Sequence, residues 1–359
     1  MIEKRSWGKK RFFMWLIVLV AFAGAFVLGG CPVAANPSND NDANQPAAQE
    51  DESDFMPASG KANDGVADAY GPWNLRLRTA VSQDGVSWTK SKDIVTDQAD
   101  VPCLIVKDGT LWLFYVIWHD KENTAGFKNT AVAAYTKDFE HWIFKKLVFS
   151  GIFPEGFTKN PVDPTVVLDQ DGLTYRMYFT LGQEAVVNGK IGTFSATSTD
   201  LIHWTFEGQR YVFDDKQVLD PNLLWVGDHY EFFAGGSPPG NHHATSTDGL
   251  NLTTLANYAP QIEVDGKQID VVLSNGMKVG STYKYFGFLN LPASEATAAD
   301  IRSFTYDTAV GTWSLDDDAR LEVDESDGKE AKFVKDPAVS IHPAGKDAGY
   351  VMVYVTAIP

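Results

Sequence analysis

The sequence predicts an all-β fold, a five-bladed β-propeller with four strands in each blade and a ring closed by the two ends of the chain. Three observations support this prediction: a hairpin motif that recurs five times, an aspartate-led apolar strand that recurs five times, and the strict alternation of the two. Both motifs lie within residues 70–359, which we assign to the propeller domain.

The hairpin motif has the form Ser/Thr-x-Asp-x-x-x-Trp. The Asp of such a motif accepts hydrogen bonds from backbone amides of its own turn, and the Trp begins the next half-buried strand. We therefore assign these aspartates a structural role. The five copies are Ser82–Trp88, Thr136–Trp142, Ser198–Trp204, Ser246–Leu252, in which Leu replaces Trp, and Thr305–Trp313, which is two residues longer.

The second motif is an aspartate that enters a short apolar strand, usually directly before a proline. A turn and a second apolar or aromatic strand follow, as in LWLFYVIW after the first copy. Successive copies are 50 to 66 residues apart, which is the length of one four-stranded blade. The five aspartates are Asp100, Asp163, Asp220, Asp270 and Asp336.

The chain opens on a hairpin and closes on an aspartate-led strand pair. We predict that the first hairpin, about residues 74–93, completes the blade that residues 336–356 begin. Such closure removes the exposed strand edges of an open array. A β-sandwich or an open β-solenoid is the alternative, since both have short strands joined by turns, but five repeats with complementary ends favour the closed ring.

Residues 1–30 have the layout of a signal peptide, with a basic cluster, an apolar run from Phe12 to Leu28 and two glycines. The next residue, Cys31, ends a Leu-Gly-Gly-Cys segment that resembles the bacterial lipobox. The resemblance implies a lipoprotein whose Cys31 carries diacylglycerol and palmitate, held at a membrane of the cell envelope with its domain outside the cytoplasm. An uncleaved transmembrane helix is the alternative.

Residues 31–69 are predicted to form a disordered tether. The segment is rich in Ala, Asn, Asp and Pro, and Phe55 is its only aromatic residue, so it has too little apolar surface to fold. The remaining cysteine, Cys103, then has no disulfide partner, and we expect it to be a small buried apolar residue.

The formal net charge is −17, and the signal peptide that is removed carries five basic residues and one acidic residue. An acidic domain of this kind disfavours nucleic-acid binding, and the lipid, instead of a basic patch, must hold it at the membrane. We expect a monomer whose partners are a carbohydrate and the membrane.

The repeat pattern resembles the five-bladed propeller glycosidases, which include the arabinanases and xylosidases of family 43, the invertases of family 32 and the levansucrases. The likeness covers the folded part at the level of blade architecture, and the segment VDPTVVLDQDGLTYRMYF around Asp163 carries it best. In those enzymes the innermost strand of each blade begins at a central funnel, and the catalytic carboxylates lie on the first three of these strands.

Carried over by position, the resemblance implies that Asp100 is the base or nucleophile, that Asp163 tunes the pKa of the site, and that Asp220 is the acid. Two departures are visible, because Val101 separates Asp100 from its proline and Asp220 stands where the family has Glu. A carboxyl that is shorter by one methylene must approach the leaving oxygen more closely, and geometry is the first demand on a general acid.

Trp118, His119 and Glu155 are candidate substrate-binding residues. Trp118 and His119 end a strand, where the indole would stack against a sugar ring and the imidazole would donate a hydrogen bond. Glu155 lies in the connection before the second aspartate-led strand, and its side chain is long enough to reach toward the funnel. For Trp118 the alternative is ordinary packing.

The funnel itself favours acid–base chemistry. Aspartates that converge in a partly dehydrated pocket repel one another, which raises some of their pKa values, and glycoside hydrolysis needs two carboxyl groups of different pKa. This chemistry requires no cofactor. The alternatives are that the aspartates cap the strand entries, or that some of them hold a calcium ion.

The sequence therefore predicts a surface-tethered, glycoside hydrolase-like protein that acts on a glycan linkage through funnel carboxylates. One alternative is a non-catalytic propeller lipoprotein that binds a glycan or a protein. Another is a structural scaffold in an envelope complex.

Overall fold

The structure is a computed structural model that describes residues 52–62, 71–118, 129–183, 189–236, 242–255, 262–264, 267–269, 271–289, 300–307 and 312–359. The signal peptide, Cys31, His119 and Asp270 lie outside these residues. Within them, no helix is long and apolar enough to cross a membrane. The helical turns that they contain are of the 3-10 type, at Pro72–Asn74, Glu325–Asp327 and Lys346–Ala348.

The rest of the regular structure is strand, as the sequence predicts. In chain order the strands are β1 (Leu75–Ser82), β2 (Thr89–Asp97), β3 (Ala99–Lys107), β4 (Thr110–Ile117), β5 (Thr130–Thr136), β6 (Ile143–Lys146), β7 (Val148–Ser150), β8 (Val162–Leu168), β9 (Tyr175–Gly182), β10 (Ile191–Ser198), β11 (His203–Tyr211), β12 (Val218–Trp225), β13 (Tyr230–Gly236), β14 (His242–Ser246), β15 (Thr253–Thr254), β16 (Ile262–Val264), β17 (Lys267–Ile269), β18 (Val271–Val279), β19 (Thr282–Leu289), β20 (Ile301–Asp307), β21 (Thr312–Leu315), β22 (Ala331–Ile341) and β23 (Tyr350–Ala357).

These strands form five antiparallel blades, which confirms the predicted propeller. Blade 1 is β3-β4-β5-β6, blade 2 is β8-β9-β10-β11, blade 3 is β12-β13-β14-β15, blade 4 is β18-β19-β20-β21, and blade 5 is β22-β23-β1-β2. The sequence did not indicate β7, which adds a parallel strand to the outer edge of blade 2, or the small pair β16 and β17.

Blade 5 contains strands from both ends of the described chain. Strand β1 pairs antiparallel with β23, from Leu75 opposite Ala357 to Ser82 opposite Tyr350. Around the centre, each innermost strand contacts the next, and β22 of blade 5 contacts β3 of blade 1. The five innermost strands therefore surround one axis.

Four of the five hairpin aspartates have the structural role expected of them. In the first copy the Oδ1 atom of Asp84 accepts hydrogen bonds of 2.8 Å from the backbone amides of Val86 and Ser87. These bonds, led by that of Ser87, lower the pKa of Asp84. Asp138, Asp200 and Asp248 accept the same pair of amide bonds in their turns.

Cys103 is buried in the core, as predicted. Its side chain packs with the apolar residues between blades 1 and 2, and burial raises the pKa of its thiol to about 12. The backbone amide of Val166 donates to its sulfur at 3.2 Å. The thiol is therefore neutral and bonded within the protein.

Residues 52–62, which we call the strap, fold against the propeller, so the predicted tether over residues 31–69 does not include them. Phe55 is 6% exposed and packs on Phe144, with ring centroids 5.7 Å apart. The carboxylate of Asp54 accepts bonds from Lys145 at 3.0 Å and from the Lys146 amide at 2.9 Å. The composition of the strap does not predict this packing. One buried ring and a few hydrogen bonds are enough to hold a short segment on a surface that is already folded.

Side-chain hydrogen bonds link neighbouring innermost strands at all five junctions. Such bonds fix the positions of the strand starts relative to one another. Around the axis they are Val166 amide to Cys103 sulfur, Thr165 hydroxyl to Asn222 Oδ1 at 3.2 Å, Asn222 Nδ2 to Leu273 carbonyl at 3.1 Å, Val339 amide to Asn275 Oδ1 at 2.6 Å, and Lys335 ammonium to Asp100 at 3.1 Å.

Candidate active site

Four of the innermost strands contain a two-residue bulge, which lies near the first residues of β3, β8 and β12 and in the middle of β22. In β8, for example, Val162 lies opposite Thr180, but the next paired residue is Thr165, opposite Tyr178. The first bulge residue has a left-handed backbone and precedes a proline in all four strands. These residues are Val101 (φ 48°), Asp163 (φ 54°), Asp220 (φ 51°) and Asp336 (φ 43°).

A positive φ is uncommon outside glycine, and Asp tolerates it better than most residues. A bulge turns its side chain away from the strand's regular alternation, which is why bulges are common beside active sites. The bulges thus direct three aspartates from blades 2, 3 and 5 in the same way relative to their strands.

Blade 1 departs from this arrangement by one residue. Val101 occupies its bulge, and Asp100 comes before it, opposite Val116. In blade 5 the residue at that same register is Lys335, directly before Asp336. The residue between Asp100 and its proline therefore moves the first carboxyl out of the bulge position, to the place that Lys335 has in the last blade.

Asp100, Lys335 and Asp336 form one connected group. The ammonium of Lys335 lies 3.1 Å from each carboxylate oxygen of Asp100 and 2.5 Å from Oδ2 of Asp336. The three side chains are 12%, 22% and 11% exposed, respectively. A single ammonium group therefore contacts two largely buried carboxyl groups.

Asp163 and Asp220 lie next to this group. The backbone amide of Asp220 donates to Oδ2 of Asp163 at 3.5 Å, Asp163 is buried, and Asp220 is half-buried. Asp100 interacts electrostatically with both, and Asp336 with each of them as well. The structure thus brings together the three predicted carboxyl groups and adds Asp336 and Lys335.

Burial is the main cause of the pKa shifts in this group. It raises the pKa of Asp163 to about 6, although a hydrogen bond from Thr180 acts against the rise. Burial, followed by the charge of Asp163, raises the pKa of Asp220 well above its usual range. The pKa of Asp336 rises to about 8, again through burial and against the effect of Lys335.

For Lys335 the two effects oppose each other. Burial lowers the pKa of its ammonium, but the charges of Asp100 and Asp336 outweigh burial, and the pKa is raised. Lys335 is therefore charged at any physiological pH, while the carboxyl groups around it differ in how tightly they hold a proton.

Two other predicted site residues, Trp118 and Glu155, are among the described residues. Trp118 is half-buried directly after β4, and its backbone amide donates to the Gln98 carbonyl at 2.8 Å. Glu155 is exposed in the turn before β8, in contrast to the buried aspartates. Within the described residues, no group of three or more His, Cys, Asp or Glu side chains is arranged to hold a metal ion.

Lys335 was not among the predicted site residues. The segment KDP matches the aspartate-led strand motif, which does not include the residue before the aspartate. The available signal was spacing: Asp100 and Lys335 both stand two residues before the proline of their strand.

Comparison with protein-family models found no match, and neither did comparison with curated proteins. Many solved structures are similar to this chain, and the following two have TM-scores above 0.5. A thermostable family-43 glycoside hydrolase is 12% identical, with a TM-score of 0.53 over 72% of this chain and 88% of that one. An N-acetylgalactosamine deacetylase from F. plautii, solved with blood group B trisaccharide, is 15% identical, with a TM-score of 0.52 over 79% of this chain and 86% of that one. At these identities the likeness establishes the fold.

Proposed function

We propose that this protein hydrolyses a glycosidic linkage in the funnel formed by its innermost strands. The observation that carries the proposal is the group of buried and half-buried carboxyls from blades 1, 2 and 3, in which Asp100 is bonded to a lysine ammonium and burial raises the pKa of Asp220. Glycoside hydrolysis needs such a pair, a carboxylate and a carboxylic acid close together.

Asp220 is the proposed acid. It donates its proton to the glycosidic oxygen as the bond from that oxygen to the anomeric carbon breaks, and the sugar leaves as an alcohol. Its raised pKa suits this role, because the carboxyl must be protonated at the start. The bulge at Asp220 helps to offset its shorter side chain, because it turns the carboxyl out of the regular strand direction.

Asp100 is the proposed base or nucleophile. As a base it removes a proton from the water that attacks the anomeric carbon, and as a nucleophile it attacks that carbon and is released by water in a second step. In the first route the water proton ends on Asp100, and proton exchange with solvent restores both groups. In the second route Asp220 takes the proton of the attacking water directly, which restores its acid form. Asp163, between the two along the chain, tunes the pKa of Asp220 through its charge.

A glycan-binding protein without chemistry is the second candidate. It is favoured by the position of Asp100, which lies outside the bulge and is neutralised by Lys335, so that it differs from the aspartates of the neighbouring blades. The fold also occurs in the F. plautii N-acetylgalactosamine deacetylase, so the fold alone does not specify glycoside hydrolysis.

The cell-envelope location belongs to the same proposal. The Leu-Gly-Gly-Cys segment supports acylation of Cys31, and the chain between that residue and the strap spans residues 32–51. A chain of this length spans at most roughly 70 Å, so the lipid would keep the propeller within that distance of the membrane. The substrate is then a glycan that is accessible at that surface.

The experiment is a panel of aryl glycosides and arabino-, fructo-, xylo- and galacto-oligosaccharides, tested for hydrolysis with the wild-type protein and D100N. We expect turnover of at least one member by the wild type and a loss of at least about 100-fold in D100N, with glycan affinity retained. Binding of a glycan by both proteins, with hydrolysis by neither, would instead establish the second candidate.

A further inference from the structure

We propose that Lys335 is a positioning residue for Asp100, whose carboxylate it holds in one orientation and pairs with a positive charge, and that closure of the ring brings it to the site. The proposal rests on the proposed function, because it concerns the carboxylate that would act as base or nucleophile.

The contacts of Asp100 fix its orientation. Oδ1 accepts a bond of 2.9 Å from the backbone amide of Val101 and one of 3.1 Å from Lys335, while Oδ2 accepts a second bond of 3.1 Å from the same ammonium. Rotation of the carboxylate about its Cβ–Cγ bond would disturb all three. Oδ2, which has the fewer partners of the two oxygens, is free to face a substrate.

The register of the strands explains why Lys335 reaches Asp100 in particular. Both residues precede the bulge of their strand, and β22 and β3 are neighbours around the axis. Their side chains therefore leave equivalent points on adjacent strands. This placement follows from the one-residue shift in blade 1, because an aspartate in the bulge of β3 would start from a different point.

The electrostatic surroundings make the lysine necessary. The charged groups that face Asp100 from other strands are Asp163 on β8, Asp220 on β12, and Lys335 and Asp336 on β22. Among the described residues that act on these carboxyls, Lys335 is the one cation. Without it, Asp100 would be a buried carboxyl beside three others with no cation in contact, an arrangement that proteins avoid.

The bond also joins the last blade to the first. Lys335 follows Asp100 by 235 residues, and the pair lies at the junction that the β1–β23 pairing holds closed. An open ring would separate the two side chains. The candidate site is therefore complete only in the closed propeller. The pairing of the N-terminal hairpin with β23 thus supports the Lys335–Asp100 contact as well as the stability of blade 5.

The first test compares pH–rate profiles of the wild type, K335M, K335R and D336N on a substrate from the panel. An opposite charge at this distance shifts an ionisation by about one to three pH units, so the acidic limb of K335M should move up by that amount. K335R, which keeps the charge, should restore the limb. D336N is the matched control, because it alters the same buried group but keeps the cation. Since it removes a carboxyl that repels Asp100, its acidic limb should move down, in the direction opposite to that of K335M.

The second test does not depend on turnover. In protein labelled with 13C at the aspartate carboxyl carbons, the signal that is missing in D100N identifies Asp100, and its ionisation is followed by NMR in the wild type and in K335M. We expect the midpoint to rise by about one to three pH units in K335M. An unchanged midpoint overturns the proposal even if the protein is an active hydrolase. A shifted midpoint sustains the effect of Lys335 on Asp100 even if no glycoside is cleaved, in which case the proposed function fails by itself.

K335M leaves two buried carboxyls without their cation, and it will not fold if that cost is too high. The comparison of K335Q/D336N with D336N avoids this difficulty, since one carboxyl is removed in both proteins. The Asp100 midpoint should again be higher in the protein without the lysine, and equal midpoints in the two proteins would contradict the proposal.

Discussion

The carboxylate of Asp100 and the ammonium of Lys335 lie 3.1 Å apart, although 235 residues separate them in the chain. The contact depends on the pairing of β1 with β23, which joins the two ends of the folded chain in blade 5. Stability of that blade and integrity of the candidate site are therefore properties of the same closed ring.

A buried ion pair inside blade 5 should be essential for that closure. The guanidinium of Arg78 on β1 lies 2.6 Å from Glu330, just before β22, and the two side chains are 1% and 0% exposed. R78M removes one of the two cations that contact this buried carboxylate, the other being Lys90, so we expect a loss of about 3 to 5 kcal/mol in the free energy of unfolding, measured by denaturant titration. K145M, which breaks the more exposed pair with Asp54, is the control and should cost less than about 1 kcal/mol. Equal effects of the two changes would refute this role.

The strap should contribute measurably to the stability of the domain. Phe55 is 6% exposed in the core shared by blades 1 and 5, whereas its neighbour Met56 is 76% exposed. F55A should lower the free energy of unfolding by about 3 kcal/mol, since it opens a cavity in that core. M56A should have an effect within about 0.5 kcal/mol of zero. If F55A behaves like M56A, the strap is not held by its aromatic contact.

The raised pKa of Asp163 should make the free energy of unfolding fall as the pH rises. The pKa of Asp163 is about 6 in the folded protein, above its ordinary value of about 4, so the folded state holds the proton more tightly. The stability that this group supplies is present at low pH and is lost as the pH rises from about 4 to about 6. D163N should therefore gain stability relative to the wild type between pH 4 and pH 7, by up to about 3 kcal/mol.

Asp84 provides a control of opposite sign for the same measurement. Backbone bonds lower its pKa, so its contribution to stability is present at neutral pH and is lost as the pH falls. D84N should consequently lose more stability relative to the wild type at pH 7 than at low pH. Parallel stability–pH curves for wild type and D163N would contradict the assignment of Asp163 as a strained, buried carboxyl.

The sequence was sufficient for the architecture, because the turn aspartates and the aspartate-led strands are local signals that repeat five times. The strap was missed, since Phe55 is a lone aromatic residue whose burial depends on Phe144, far away in the chain. The convergence of Asp100, Asp163 and Asp220 could be predicted, because the three residues enter the innermost strands of neighbouring blades at similar positions. Asp100 lies outside the bulge and beside Lys335 because of the backbone register of β3 and β22 and because blades 1 and 5 are neighbours. The spacing of residues in the sequence does not specify either property.

Anchoring should depend on one residue. The Leu-Gly-Gly-Cys segment predicts that C31S cannot be lipidated, so this variant should leave the detergent phase in a phase-partitioning experiment or accumulate as an uncleaved precursor. A variant with a substitution in the tether, such as N36Q, should partition like the wild type. A mature amino terminus at any other residue than Cys31 would reject the lipoprotein proposal.

The measurement that most directly tests hydrolysis by the funnel carboxyls is the dependence of D220N on the leaving group. A general acid matters for a poor leaving group, which departs only with a proton, and matters little for an activated aryl group such as dinitrophenolate. We predict that D220N loses about 100-fold or more in kcat/KM on an unactivated oligosaccharide and less than about tenfold on the matching dinitrophenyl glycoside. Equal losses on both substrates, or full activity on the oligosaccharide, would contradict the account.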